Sequence, residues 1–107
     1  TTEYIEISDD NNNFKDPSLL ATFVDNHDND RFLCDFHPEN GEYHRRYINA
    51  LTFALTFTGI PITYYGSEAG FAGANGKCSD PDNRQPLWPA GYNANKTDIG
   101  QAIQVVN

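Results

Sequence analysis

The residues best suited to chemistry stand close together in one run, Asp25-Asn26-His27-Asp28-Asn29-Asp30-Arg31. A carboxylate held there can stabilise a developing positive charge. A neutral imidazole can donate from one nitrogen while the protein holds the other, and so orient a bound hydroxyl without adding a full charge. So polar a run cannot enter a core without paired charges and hydrogen bonds, and Arg31 is expected to pair with Asp25 or Asp30. Taken alone, Asn-His-Asp is more ordinarily a cap or surface turn, because these side chains bond readily to nearby backbone. A metal reading is poor. His27, Asp28 and Asp30 lack the spacing of a dedicated zinc site, and the oxygen-rich run from Asp9 to Asn13 lacks that of a calcium loop, so no metal ligand is assigned. Downstream, Asp80 and Arg84 stand four apart. Arginine can present a planar fork of donors to hydroxyl groups, or it can simply pair with the acid and stiffen a loop. Glu68 and Asp82 are further available acids, with no reason to rank either as a nucleophile.

These side chains need elements to position them. Leu19-Leu20-Ala21-Thr22-Phe23-Val24 is a compact apolar run without alternation, which predicts a strand buried on both faces and ending where the polar run begins. After a loop from Phe32 to Gly41, Tyr43, Tyr47, Ile48, Leu51, Ala54 and Leu55 recur at spacings of three or four and predict an amphipathic helix. Thr52, Phe53, Thr56 and Phe57 are only moderate helix formers, so packing must supply much of its stability. Gly59 can end the helix and Pro61 blocks its continuation. Pro61-Ile62-Thr63-Tyr64-Tyr65 predicts a second strand, with proline tolerated at its first position. From Glu68 to Pro89 glycine, proline, Asn and Asp predict a long structured loop anchored by Trp88. Ile99, Ala102, Ile103 and Val106 predict a final helix capped by Thr97 or Asp98. Near the start, Tyr4, Ile5 and Ile7 fit a helix end or a short strand equally, and Ser8 to Pro17 reads as a surface connection.

The 107 residues suit one modest domain at most, and 38% hydrophobic content is folded-protein composition. A net charge of −8 offers no footprint for nucleic acid or an anionic bilayer. No stretch approaches the roughly 20 apolar residues of a membrane span. The first residue is Thr and no signal sequence is visible, so the chain reads as an internal piece of a longer protein. Cys34 and Cys78 permit one disulfide or two separate buried thiols. Asn95-Lys96-Thr97 is an acceptor sequence for N-glycosylation in a secreted chain.

Beside that reading stands a resemblance. Phe23-Val24-Asp25-Asn26-His27-Asp28-Asn29 resembles the last catalytic segment of the alpha-amylase family, the retaining glucan hydrolases built on a TIM barrel. Gly59-Ile60-Pro61-Ile62-Thr63-Tyr64-Tyr65-Gly66-Ser67-Glu68 is similar to the family's eighth barrel strand. Asp80-Pro81-Asp82-Asn83-Arg84, followed by Leu87-Trp88, resembles the loop after it, especially in fungal-type secreted amylases. The resemblance runs from about Ser18 to the end of the chain. It implies an α/β fold, the C-terminal portion of a (β/α)8 barrel comprising the seventh and eighth strand-helix units, as part of one catalytic domain. Active sites of such barrels lie at the carboxyl ends of the strands, where Asn26, His27 and Asp28 fall.

The resemblance implies that Asp28 stabilises the transition state, that His27 hydrogen-bonds to the same sugar, and that Asp80 and Arg84 contact sugars further along the cleft. Trp88 could stack on a sugar, although a loop anchor is the more ordinary role. The nucleophile and acid/base motifs have no counterpart in these residues, so the chain alone is expected to be inactive. For the full-length protein the resemblance implies endo-hydrolysis of alpha-1,4 bonds in starch or glycogen, secretion, a monomer, and calcium held by residues outside this chain. The rivals are an alpha-glucosidase or glucan transferase of the same superfamily, and a non-catalytic binding or transporter-associated barrel. By itself the chain would leave apolar faces uncovered, so it is expected to be poorly soluble or molten when expressed alone.

Overall fold

A computed structural model describes residues 14–34, 41–92 and 94–106. The Tyr4 to Ile7 segment and most of the connection that follows it lie outside the described residues. The element order is strand, helix, strand, helix: β1 (Ala21–Thr22), α1 (Gly41–Thr56), β2 (Ile60–Pro61) and α2 (Asp98–Val106). Short 3-10 turns occur at Pro17–Leu19, Asp82–Arg84, Trp88–Ala90 and Ala94–Lys96.

β1 and β2 run parallel, with Ala21 opposite Ile60 and Thr22 opposite Pro61. Ile60 N donates to Leu20 O at 2.8 Å and Ile62 N to Thr22 O at 2.9 Å. Pro61 lies between those two donors, so its nitrogen, which has no hydrogen to give, faces away from β1. The pairing is much shorter than the expected strands, Leu19 to Val24 and Pro61 to Tyr65. Burial on both faces is also corrected: Leu19 is 66% exposed, Phe23 48%, Ile60 49% and Ile62 49%. The physical reason is that α1 packs on the pair through Thr22 and Ala54, while the Leu19, Phe23, Ile60 and Ile62 side chains stay open to solvent.

The helix matches its expected span closely. Tyr47, Leu51 and Ala54, at steps of four and three, form its buried face. Tyr47 and Leu51 join Leu33 and Ile99 in the core cluster, against which Val24, Phe32, Ile48 and Ile103 pack, and Phe71 is buried as well. Burial of Leu51 and of Ile99 contributes about 1.5–3 kcal/mol each. On the outer side Phe53 and Phe57 stack at 4.8 Å and stay partly exposed. Thr22 Oγ1 donates to Ala54 O at 2.9 Å, fastening β1 to the last turn of α1.

The helix ends at Thr56, earlier than the Gly59 stop expected for it, and Gly59 instead precedes β2 with φ +140°, where a Cβ would meet Leu20 O at 2.6 Å and Thr22 Cγ2 at 2.8 Å. Only glycine lets β2 come this close to β1. The final helix begins as expected from its cap. Gly100 N donates to Thr97 Oγ1 at 2.8 Å, and the Thr97 hydroxyl donates to Glu68 O, which ties α2 to the loop after β2. His44 of α1 lies 3.2 Å from Asp98 at the start of α2.

Candidate active site

An open hollow of about 300 Å³ lies at the carboxyl ends of both strands. Phe23 and Asp25 to Asp28 form one wall, and Ile62 and Tyr64 form the other. Asp28 and His27 project there, with side chains 74% and 63% exposed and His27 Nε2 3.4 Å from Asp28 Oδ1. The main chain beneath them is held. Asn26 Oδ1 accepts from Asp28 N at 2.8 Å and from Asn29 N at 2.9 Å, a side-chain turn that explains why an asparagine precedes the pair.

Behind the hollow is a buried polar layer. Asp25 ends the strand segment and is almost fully buried. Its Oδ1 accepts from Phe32 N at 2.8 Å, and its Oδ2 accepts from Ser67 Oγ at 3.0 Å and from the Tyr47 hydroxyl. Arg31 is the cation expected for it, with NH1 3.9 Å from Asp25 Oδ2, and both side chains are buried. The Arg31 guanidinium also lies 4.2 Å over the Tyr64 ring. Burial, reinforced by the neighbouring Asp25 carboxylate, pushes the Tyr47 phenol far above its ordinary range, so it remains a donor. Burial and then the hydrogen bond with Tyr65 raise Tyr64 as well.

The loop after β2 closes over this layer. Arg31 Nε donates to Asn83 O at 2.9 Å, and Asn83 Nδ2 donates to His27 O at 3.0 Å and to Asn29 O at 2.9 Å. Arg84 Nε lies 3.0 Å from Asp80 Oδ1 and donates to His27 O at 3.3 Å. Asp80 and Arg84 are thus brought to the Asp28 loop, as an ion pair braced on its backbone. Asp82 instead accepts from Asn75 Nδ2 at 2.8 Å. A Cys34–Cys78 disulfide staples the segment after Arg31 to the segment before Asp80, resolving the two alternatives left open by sequence. Trp88 is 70% exposed, so its expected role as loop anchor is overturned. Its 3-10 turn sits at the surface between Leu87 and Gly91, held by bonds of its own backbone.

Tyr47, Ser67 and Asn83 were not singled out by sequence reasoning as parts of a site. For Tyr47 a signal existed, since a phenol inside an apolar helical stripe needs a polar partner. Ser67 and Asn83 lie inside the two motif segments quoted for the resemblance, but nothing in their local pattern names their partners. Among the described residues no group of three or more His, Cys, Asp or Glu side chains could hold a metal ion.

A parallel strand pair connected through a helix, with its polar side chains gathered on loops at the strands' carboxyl ends, defines an α/β unit of the kind that β/α-barrel enzymes repeat. The chain belongs to the alpha-amylase family. Its residues 2–105 match the family model described as alpha amylase, catalytic domain. It is 45% identical over 78 residues to an alpha-amylase of Saccharomycopsis fibuligera, covering 73% of this chain and 14% of that protein. It is 42% identical over 82 residues to alpha-amylase 1 of Lipomyces kononenkoae, covering 77% of this chain and 12% of the relative. A cyclomaltodextrin glucanotransferase of Bacillus sp. (strain 1011) is 48% identical over 67 residues, which cover 63% of this chain and 8% of that enzyme. The chain thus spans only a small part of the length of the relatives it matches.

Proposed function

We propose that this chain is the seventh and eighth strand-helix portion of a retaining alpha-glucan hydrolase that cleaves internal alpha-1,4 bonds of starch or glycogen. The observation that carries the reading is Asp28, an exposed carboxylate on a fixed backbone at the carboxyl end of β1, facing the hollow. Glycosidic cleavage passes through an oxocarbenium-like state with positive charge on the anomeric carbon and ring oxygen. A carboxylate already in place lowers that barrier without reorganising at the moment of reaction.

In this mechanism Asp28 stabilises the developing charge and grips the distorted sugar, and His27 directs an imidazole N–H to a hydroxyl of the same ring. Asp80 and Arg84 meet sugars further along the cleft, at the edge they already share with the His27 carbonyl. The nucleophile and the acid/base, about 5–5.5 Å apart in retaining enzymes, come from other parts of the full-length protein. Calcium, where the full-length protein binds it, is held outside this chain. Secretion is supported by the disulfide, since such bonds persist in oxidising compartments.

The test is Asp28→Asn in the full-length enzyme. The turnover number should fall by at least about a hundredfold while KM changes far less, because the charge is needed mainly in the transition state. An unchanged kcat removes the assignment. A second reading, glucan transfer, is favoured by the similarity to a cyclomaltodextrin glucanotransferase. Product analysis with starch and maltose separates the two: linear oligosaccharides support hydrolysis, and cyclic or lengthened products support transfer.

A further inference from the structure

We infer that Asn83 is a positioning residue for Asp28. Its fully buried side-chain amide grips the backbone carbonyls on either side of that residue and holds the carboxylate in register with the hollow. The inference rests on the reading of Asp28 given above.

The amide nitrogen of Asn83 donates to His27 O at 3.0 Å and to Asn29 O at 2.9 Å. An amide nitrogen has two hydrogens, so its donor capacity is fully spent on this one segment. The opposite orientation would set the side-chain oxygen against two carbonyl oxygens, so the chemistry dictates the direction. The Asp28 amide is held from the other side by Asn26 Oδ1 at 2.8 Å. The backbone of residues 27–29 is therefore clamped between two asparagine side chains, and the Asp28 side chain is left free to face the hollow.

Asn83 is itself anchored. Its carbonyl accepts from Arg31 Nε at 2.9 Å, its N–H donates to Ser79 O at 3.3 Å, and Arg31 lies against buried Asp25. The Cys34–Cys78 bridge fastens the same two segments covalently. Asn83 Oδ1, by contrast, is buried without a hydrogen-bond partner. An apolar residue would spare that acceptor but would take both donors from the His27 and Asn29 carbonyls. The amide suits a site where two donors are required at one place. Asp, nearly identical in shape, would supply none and would face the two carbonyls with negative charge.

The experiment compares Asn83→Asp and Asn83→Ser in the full-length enzyme, each with Asp28 intact and in an Asp28→Asn background. It records kcat, KM, melting temperature and backbone hydrogen exchange of residues 25–31. With Asp28 intact, kcat should fall roughly ten- to hundredfold for Asn83→Asp, the scale of a misplaced reacting group. Asn83→Ser, which keeps one donor, should fall less, and KM should move little in either case. In the Asp28→Asn background the same changes should alter kcat by less than about threefold, because no carboxylate remains to be held. Equal losses in both backgrounds, or a lowered melting temperature with unchanged kcat, overturn the inference. If Asn83→Asp fails to fold, the Asn83→Ser pair decides. If Asp28→Asn leaves kcat unchanged, the reading of Asp28 falls and the inference with it. If Asp28→Asn lowers kcat but neither Asn83 variant speeds exchange at residues 25–31, the clamp alone is refuted.

Discussion

The Tyr47 hydroxyl, on the buried face of α1, donates to Oδ2 of Asp25, the residue at which the first strand segment turns into the Asp28 loop. One contact thus joins α1 to the base of the loop that carries the candidate site. Tyr47→Phe in the full-length protein should lose about 1.5–3 kcal/mol of stability in urea melts near pH 8, the usual worth of a hydrogen bond to a charged group. The pH dependence has a definite sign. The folded phenol is raised above its unfolded value by burial and by Asp25, so its contribution is present below about pH 10 and is lost as the pH rises past it. The gap between wild type and Tyr47→Phe should narrow above that pH. A constant gap from pH 8 to 11 would contradict the assignment.

Arg31, at the end of the Asp28 loop, and Arg84, braced on the His27 carbonyl, should behave oppositely in stability. Arg31 is buried beside Asp25, so Arg31→Ala leaves an uncompensated charge and should cost about 3–5 kcal/mol. Arg84 pairs with Asp80 at the exposed surface, and Arg84→Ala should cost less than about 1 kcal/mol. Equal losses in denaturant melts would show that the buried layer is not the stabilising one.

Arg84→Ala has a separate consequence for substrate. If its guanidinium serves sugars beyond the reacting ring, kcat/KM should drop for long oligosaccharides and hold for short ones. Equal loss on both would reduce Arg84 to a loop brace.

The helix and its stop were legible in sequence because their causes are local. The three-and-four spacing of Tyr47, Leu51 and Ala54 marks one face, and Gly59 with Pro61 marks a limit that the helix does not pass, its last residue being Thr56. The Thr97 cap was legible for the same reason. Motif and strand-end position together pointed to His27 and Asp28, which line the hollow. What sequence hid is long-range. Ser67 meets Asp25 across 42 positions, and Asn83 meets His27 across 56. No local pattern announces such partners. Strand length was overread because an apolar run states what a residue prefers, and a strand requires a neighbour to bond. Trp88 was overread on its size, since a large ring is anchored only where the loop folds back over it.

The Cys34–Cys78 bridge should matter as much as a buried layer residue. It links positions 44 apart, and loss of such a bridge typically costs about 2–5 kcal/mol. The double Cys→Ser variant, or treatment with a reductant, should lower the melting temperature of the full-length protein. Faster hydrogen exchange at residues 25–31 should accompany it. A melting temperature indifferent to reductant would mean that the polar contacts alone hold the two loops together.

Pro61 sits in the middle of the parallel pairing, and its ring nitrogen looks outward from β2. Any further strand that lies along that flank receives no proton at this point, so the sheet can extend there only through a gapped ladder. The imino acid therefore acts as a gatekeeper. It removes one donor from the row that a stray extended peptide would copy, while its carbonyl still offers an acceptor there.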